Sequence, residues 1–385
     1  MNLELARSAL RELNLPAWLL YSFAEANPLA LEVLGLGGRH LTRRFAYLIP
    51  AEGEPRLLLH RLEAERFDHL PGERFYYGRW QEFDAGLAWL LEDVGRLALD
   101  YQPGARIPYL SRVDAGFIEK VRGLGVETVS AAELMLRFQT WSEADLASHR
   151  RAAAVLHEAR DAALAFLRSR LPSSPPRELE VQQVMLNVFA ERGVEYDHPP
   201  IVAFGANAAR PHYAPEPGSD STLQPGDVVL LDLWVREPGG VYADITWMAG
   251  WQVAPEVLRA WEAVAAARDR AVEVVQRAYA AGRHPAGWEA DRAARAVLEE
   301  RGYGEYVLHR TGHNLGRSGP HGSGTHLDDY ESHDTRPLIP GLAFTVEPGV
   351  YLTGRFGVRS EIDVYLHREG PEISTELQCS VEIIK

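Results

Sequence analysis

The chain has 385 residues, 46% of them apolar and 24% charged, the composition of a globular protein with material for two or three domains. Its 54 acidic residues outnumber 40 basic ones, and a net charge of −14 argues against a nucleic-acid binder, which needs a basic face. Lys120 and Lys385 are the only lysines and Cys379 the only cysteine, which excludes a Walker-type phosphate loop, an internal disulfide and a cysteine zinc site, and nearly excludes Schiff-base chemistry.

The first residues read as an amphipathic helix and not as a secretory leader. No apolar run reaches the length of a membrane span, and even the stretch 18–38 is broken by Glu25, Pro28 and Glu32. The expected setting is cytoplasmic. Up to about residue 140, apolar runs at 17–21, 44–49 and 96–100 alternate with helical patterns at 83–93 and 111–123. This reads as an α/β domain, and it carries no chemical motif.

From Ser142 the texture changes. Ser142 with Asp145 resembles a capping box opening a helix to about residue 171. After a break at 172–176 a second helix runs over 178–192 and is ended by Gly193. Strands follow at 228–235 and 241–253. The order then recurs: helices at 255–281 and 285–301, and strands at 343–346, 357–366 and 377–384. Helix, helix, strand, strand occurs twice without evident identity, a duplication of element order. The expected division is 1–140 and 141–385, with Cys379 as a small buried hydrophobe in the last strand.

Asp232 interrupts an apolar strand, where an ionised carboxylate costs several kcal/mol unless it is paired or metal-bound. Asp244 lies twelve residues on, with the turn signal Pro238-Gly239 between. A hairpin folded there sets the two carboxylates nearly opposite on one face, where they must share a proton or a cation. Glu347 and Glu361, fourteen apart about Gly354, repeat the geometry. Between the pairs lies a histidine-rich stretch with His309, His313, His321, His326 and His333, in which Gly312 and Gly316 favour a fixed loop. Four carboxylates and one imidazole carry a formal charge of −4, which two divalent ions cancel. Oxygen-rich ligation with one nitrogen suits Mn²⁺, Co²⁺ or Fe²⁺, and also Zn²⁺. Two such ions about 3.5 Å apart are a standard hydrolytic device.

Asp232, Asp244, His313, Glu347 and Glu361 occur in the order and approximate spacing of the metal ligands of the pita-bread metallopeptidases. That family includes prolidase (Xaa-Pro dipeptidase), aminopeptidase P, methionine aminopeptidase and creatinase. The chain resembles it over about residues 145–385, and its first 140 residues are more weakly similar to the N-terminal domain of creatinase and prolidase. The resemblance implies an α/β (α+β) protein with a creatinase-like N-terminal domain and a pita-bread domain of duplicated units related by a pseudo-twofold axis. It implies two divalent metal ions, manganese first, held by all five residues, with Glu347 also acting as general base. His212 resembles the histidine that contacts substrate, His309 the one lining the proline pocket, and Arg359 the arginine that would hold a substrate carboxylate. The catalytic histidine of the family falls one position later than usual, at His321, because position 320 is proline; Gly322-Ser323-Gly324 follows where an acidic residue is more common. His326 and His333 are the alternatives for that role. The implied reaction is hydrolysis of the bond preceding proline in Xaa-Pro dipeptides or short peptides, by a homodimer. Aminopeptidase P activity, another amidohydrolase reaction on the same fold and a non-catalytic peptide-binding module are the other readings.

Overall fold

A computed structural model describes residues 2–385, which fall into two compact units divided between Phe138 and Gln139. In the first unit the strands are β1 (Ala17–Ser22), β2 (Phe45–Pro50), β3 (Arg56–His60), β4 (Glu73–Tyr77), β5 (Arg96–Leu99) and β6 (Glu127–Ser130). They form a mixed sheet in the order β4-β3-β2-β1-β5-β6, with β2 antiparallel to both its neighbours. Helices α1 (Leu3–Glu12), α2 (Pro28–Leu34), α3 (Trp80–Leu90), α4 (Ala115–Gly123) and α5 (Ala132–Phe138) complete it. Alternate residues of β1 enter two different cores, Trp18 and Leu20 one, Leu19 and Tyr21 the other. Burial on both faces is why this strand reads as a continuous apolar run.

The second unit opens with α6 (Glu143–Arg170), capped by reciprocal bonds between Ser142 and Asp145. Helix α7 (Glu178–Arg192) stops at Gly193, whose φ of 64° is the left-handed conformation that glycine adopts without strain. Strands β7 (Ile201–Phe204), β8 (Val228–Arg236) and β9 (Tyr242–Gly250) follow, then helices α8 (Pro255–Ala280) and α9 (Gly287–Glu300). The chain ends with β10 (Ala343–Val346), β11 (Gly349–Leu352), β12 (Phe356–Arg359), β13 (Ile362–Leu366), β14 (Pro371–Ile373) and β15 (Glu382–Ile383). The sheets are β15-β9-β8-β7, β10-β13-β14 and the ribbon β11-β12. No helix among the described residues is long and apolar enough to cross a membrane.

The alternation along β8 creates the site. Val229, Leu231, Leu233 and Val235 pack on α6 and α7 with Ala243, Ile245 and Ala249 of β9. Asp232, Asp244 and Thr246 therefore point to the opposite face. The expected register needs one correction. Asp232 pairs with Thr246, and Asp244 with Trp234. The ribbon is centred on Gly239, at φ 74°, so the two aspartates are diagonal neighbours on one face.

The strand expected at 357–366 is broken into β12 and β13. Val346 pairs with Ile362 and Gly349 with Arg359, so one register runs through the whole hairpin. Pro348 has no N–H to continue the ladder, and Glu347, Ser360 and Glu361 sit at the interruption. The strand expected at 377–384 shrinks to β15. The Gln378 amide takes both backbone groups of Met248, accepting at 2.9 Å and donating at 2.6 Å. With Gln378 turned inward, Cys379 is exposed, contrary to the buried position expected from its apolar neighbours.

Candidate active site

The loop carrying His313 is tied to β10 as if it were a further strand. Thr345 N–H donates to the His313 carbonyl at 2.8 Å, Glu347 N–H to Thr311 at 2.7 Å, and Leu315 N–H to Ala343 at 2.9 Å. Gly312 permits this approach, because a Cβ there would lie 2.0 Å from the Thr345 carbonyl oxygen. His313 Nδ1–H donates to the Asn314 carbonyl at 3.1 Å, which leaves the Nε2 lone pair facing inward. That Nε2 is 3.6 Å from Asp244 Oδ2 and 3.6 Å from Glu347 Oε1.

Among the described residues, Asp244, His313 and Glu361 present ligand atoms all within 4.8 Å of one another. Glu347 joins them through its distance to His313. Asp232 is turned to Arg359, whose NH2 group donates to Asp232 Oδ2 and whose Nε donates to Thr246 Oγ1 at 2.8 Å. The Thr246 hydroxyl in turn donates to Glu361 Oε2 at 2.6 Å, and the Thr345 hydroxyl donates to Glu347 Oε1 at 3.2 Å. The two threonines had a sequence signal: Thr246 lies two residues from Asp244 on β9, and Thr345 lies two residues before Glu347, which directly follows β10.

Burial raises the pKa of all four carboxyls. Glu361 and Asp232 add to the effect on Asp244, and Glu347 adds to that on Glu361. Glu347 is pushed up to about 7. Burial, then the nearby His321, holds His313 well below its ordinary value, so it is a neutral imidazole. One guanidinium set against four carboxylates leaves uncompensated negative charge in a desolvated place. The donor set of four carboxylates and one imidazole fits divalent cations on both charge and chemistry.

These groups form the floor of a cleft of about 830 Å³, whose walls include His212, His309, His321 and Arg359. His309 Nδ1–H donates to the Arg310 carbonyl at 2.7 Å, so its Nε2 accepts from the Tyr351 hydroxyl at 2.7 Å. Burial, then Arg359, lowers its pKa to about 3. The His321 ring packs on His313 with centroids 3.9 Å apart, and its Nδ1 lies 3.4 Å from an Arg310 guanidinium nitrogen. Burial and Arg310 lower its pKa to about 4, although the residue is exposed where it lines the cleft. His212 is exposed on the opposite loop. The alternatives for His321 lie elsewhere. His326 is buried and accepts from Asn314 N–H at 2.8 Å; His333 binds Asp329 at 2.6 Å beside Trp288. Arg359 is the residue whose surroundings differ most from the expected role, since its guanidinium is spent on Asp232 and Thr246. Arg310 and Tyr351 had no comparable signal, because neither belongs to a spaced carboxylate or histidine pattern.

An oxygen-rich donor set at the floor of a cleft, on a duplicated α/β frame, belongs to the class of hydrolytic metalloproteins. Residues 147–368 match metallopeptidase family M24, and the chain belongs to that family. It is 30% identical over 229 residues to an uncharacterised peptidase of Schizosaccharomyces pombe, covering 57% of this chain and 47% of that one. It is 28% identical over 206 residues to the Xaa-Pro dipeptidase of Lactobacillus delbrueckii subsp. lactis, covering 53% and 52%. The matches thus span about half the length of these curated relatives. The structure of dipeptidase PepE from Mycobacterium ulcerans superposes with a TM-score of 0.72 at 25% identity, over 99% of this chain and 96% of that one. The prolidase of Pyrococcus horikoshii OT3 gives 0.66 at 23% identity, over 98% of each chain. The chain has the pita-bread metallopeptidase fold, with the mixed α/β architecture expected from its sequence.

Proposed function

We propose that the protein is a dinuclear metallopeptidase that hydrolyses the bond preceding proline, with Xaa-Pro dipeptides as its substrates and Mn²⁺ as its first metal. The observation that carries this reading is the convergence of four carboxylates and the Nε2 of His313 at the floor of one cleft. Similarity to an Xaa-Pro dipeptidase supports the substrate class.

Asp232, Asp244, His313, Glu347 and Glu361 would hold the ions. The chemistry such ions supply is polarisation of a carbonyl and a nucleophile made from water near neutral pH. The chain's own groups do the rest. Glu347, held by Thr345, is the proton acceptor. His321 is kept neutral by burial and Arg310; because Nδ1 accepts, its Nε2–H donates to the oxygen on which charge develops. His212 positions substrate from the facing loop, and His309, fixed by Tyr351, forms the wall for the proline ring. Arg359 shares Asp232 with any cation held there, and a guanidinium released from that oxygen is the partner for a dipeptide carboxylate.

The test is hydrolysis of Ala-Pro and Leu-Pro beside Ala-Pro-Yaa tripeptides and Met-Ala, with and without Mn²⁺, Co²⁺ and Zn²⁺. Metal-dependent cleavage of the Xaa-Pro dipeptides is expected. Cleavage of Met-Ala alone, or of nothing with any metal, overturns the substrate assignment. A Glu347→Gln variant with full activity and metal content would sink the role of Glu347.

A further inference from the structure

Glu178 is fully buried at the first position of α7, and it neither lines the cleft nor belongs to the donor set. Its carboxylate is filled by four donors. Oε1 accepts from Phe204 N–H at 2.7 Å and Asn207 Nδ2 at 2.9 Å; Oε2 accepts from the Tyr213 hydroxyl at 2.6 Å and Ser221 N–H at 2.7 Å. The neighbouring Arg177 is turned to Asp220 instead. A buried anion satisfied wholly by neutral donors is an ordering device, because the N–H groups of Phe204 and Ser221 and the Tyr213 hydroxyl would lose their acceptor without it.

The donors share one destination. Phe204 ends β7, Ser221 closes the segment that follows, and Asn207 and Tyr213 lie within it. That segment contains one short turn of 3₁₀ helix, Gly205–Ala209, and no strand. The guanidinium of Arg210 covers the Tyr213 ring at 4.4 Å and reaches Asn207 Oδ1 at 2.9 Å. Ala209, Arg210, Pro211 and His212 form one wall of the cleft. His212 makes no side-chain hydrogen bond among the described residues, so its position is inherited from the backbone next to Tyr213.

We propose that Glu178 is the positioning residue for this wall, a buried carboxylate that cinches both ends of the 204–221 segment and, through Tyr213, sets His212 over the site. The part concerning His212 rests on the proposed peptidase reading; the clamp does not. Glu178→Gln keeps shape but turns one acceptor into an amide nitrogen, which cannot receive the Ser221 N–H in one orientation or the Phe204 N–H in the other. Tyr213→Phe removes a single hydroxyl and keeps the ring under Arg210, so it remains informative if the first variant folds poorly.

Amide hydrogen exchange reads the clamp without any activity. Exchange over 205–213 is expected to quicken about tenfold in both variants while α6 is unchanged; unchanged exchange over 205–213 overturns the clamp. With Ala-Pro and Mn²⁺, Glu178→Gln is expected to lower kcat about tenfold at unchanged metal content. In a His212→Ala background the same change is expected to cost less than twofold. Equal losses in both backgrounds overturn the link to His212. If the parent chain hydrolyses no peptide, the proposed function fails, and the exchange result alone decides the clamp.

Discussion

Replacing Glu347 by glutamine should stabilise the metal-stripped protein while abolishing its function. The Glu347 side chain is 12% exposed and its carboxyl is raised from an ordinary 4.5 to about 7 by burial. Ionising it therefore costs about 3 kcal/mol more in the fold than in the unfolded chain. The sign follows from proton counting. Between pH 4.5 and 7 the folded chain holds more protons at this site than the unfolded chain does, so stability falls as pH rises through that window. The cost is complete above pH 7 and absent below 4.5. Glutamine carries no charge at any pH and keeps the oxygen that faces Thr345. Urea unfolding of EDTA-treated proteins, followed in the C-terminal unit, should show the variant ahead by up to about 3 kcal/mol at pH 8 and level at pH 4.5. A gain of that size corresponds to roughly 6–12 °C in Tm for a unit of this length. Added Mn²⁺ should reverse the order, since saturation to about a thousand times Kd gives the parent about 4.1 kcal/mol that the variant lacks. A stripped variant less stable than the stripped parent at pH 8, or a difference that ignores pH, would refute the electrostatic account.

Three further changes probe the surroundings. Thr246→Val removes the hydroxyl between Glu361 and Arg359, and calorimetric titration should show metal affinity lower by about 10- to 100-fold with the fold intact; unchanged affinity would mean that Glu361 needs no such support. Gly312→Ala drives a Cβ against the Thr345 carbonyl, so a loss of about 1–3 kcal/mol in urea unfolding is expected together with lost metal binding; a variant binding metal like the parent would show that the His313 loop has slack. His149 is fully buried, bonded to the Tyr242 carbonyl and Ser374, and burial lowers its pKa to about 4. The unfolded chain takes up this proton first, so stability should fall by up to about 3 kcal/mol as pH drops from 6.5 to 4. His149→Gln should flatten that acid limb, and an equally steep limb in both proteins would assign it to other groups.

That the four carboxylates and His313 come together was legible because their signals are local. A carboxylate in an apolar strand, a second one on the far side of a turn and the same pattern repeated about Gly354 need only strand periodicity to be read. What was not legible depends on contacts distant in sequence. The register of β8 and β9 turns on which glycine of Gly239-Gly240 takes the positive φ, and a shift of one residue in the turn centre moved Asp244 from opposite Asp232 to diagonal. Pro348 is the sequence signal for the interruption of the second hairpin, and the apolar run from 357 outweighs it. Glu178 reads as an ordinary acidic residue in the first turn of a helix. Its burial arises only because the 204–221 segment folds back over it. Cys379 is exposed because Gln378 uses its side chain as the pairing group, so its apolar neighbours do not continue the strand.

The segment around His321 shows why an unusual loop sequence need not be read as damage to a site. Asn314 donates from Nδ2 to the Ala343 carbonyl at 2.7 Å and accepts from Gly324 N–H at 2.8 Å, while Gly322 N–H reaches the Asn314 carbonyl at 2.7 Å. A Cβ at position 322 would fall 2.2 Å from the Asn314 side chain, and one at 324 would fall 2.6 Å from it. Both positions must therefore be glycine once asparagine occupies 314. The pairing of Leu315 with His321 then returns the chain to the His313 ring. The Gly-Ser-Gly run and the histidine at 321 are thus a single packing solution around Asn314, and that solution keeps an imidazole against the His313 ring.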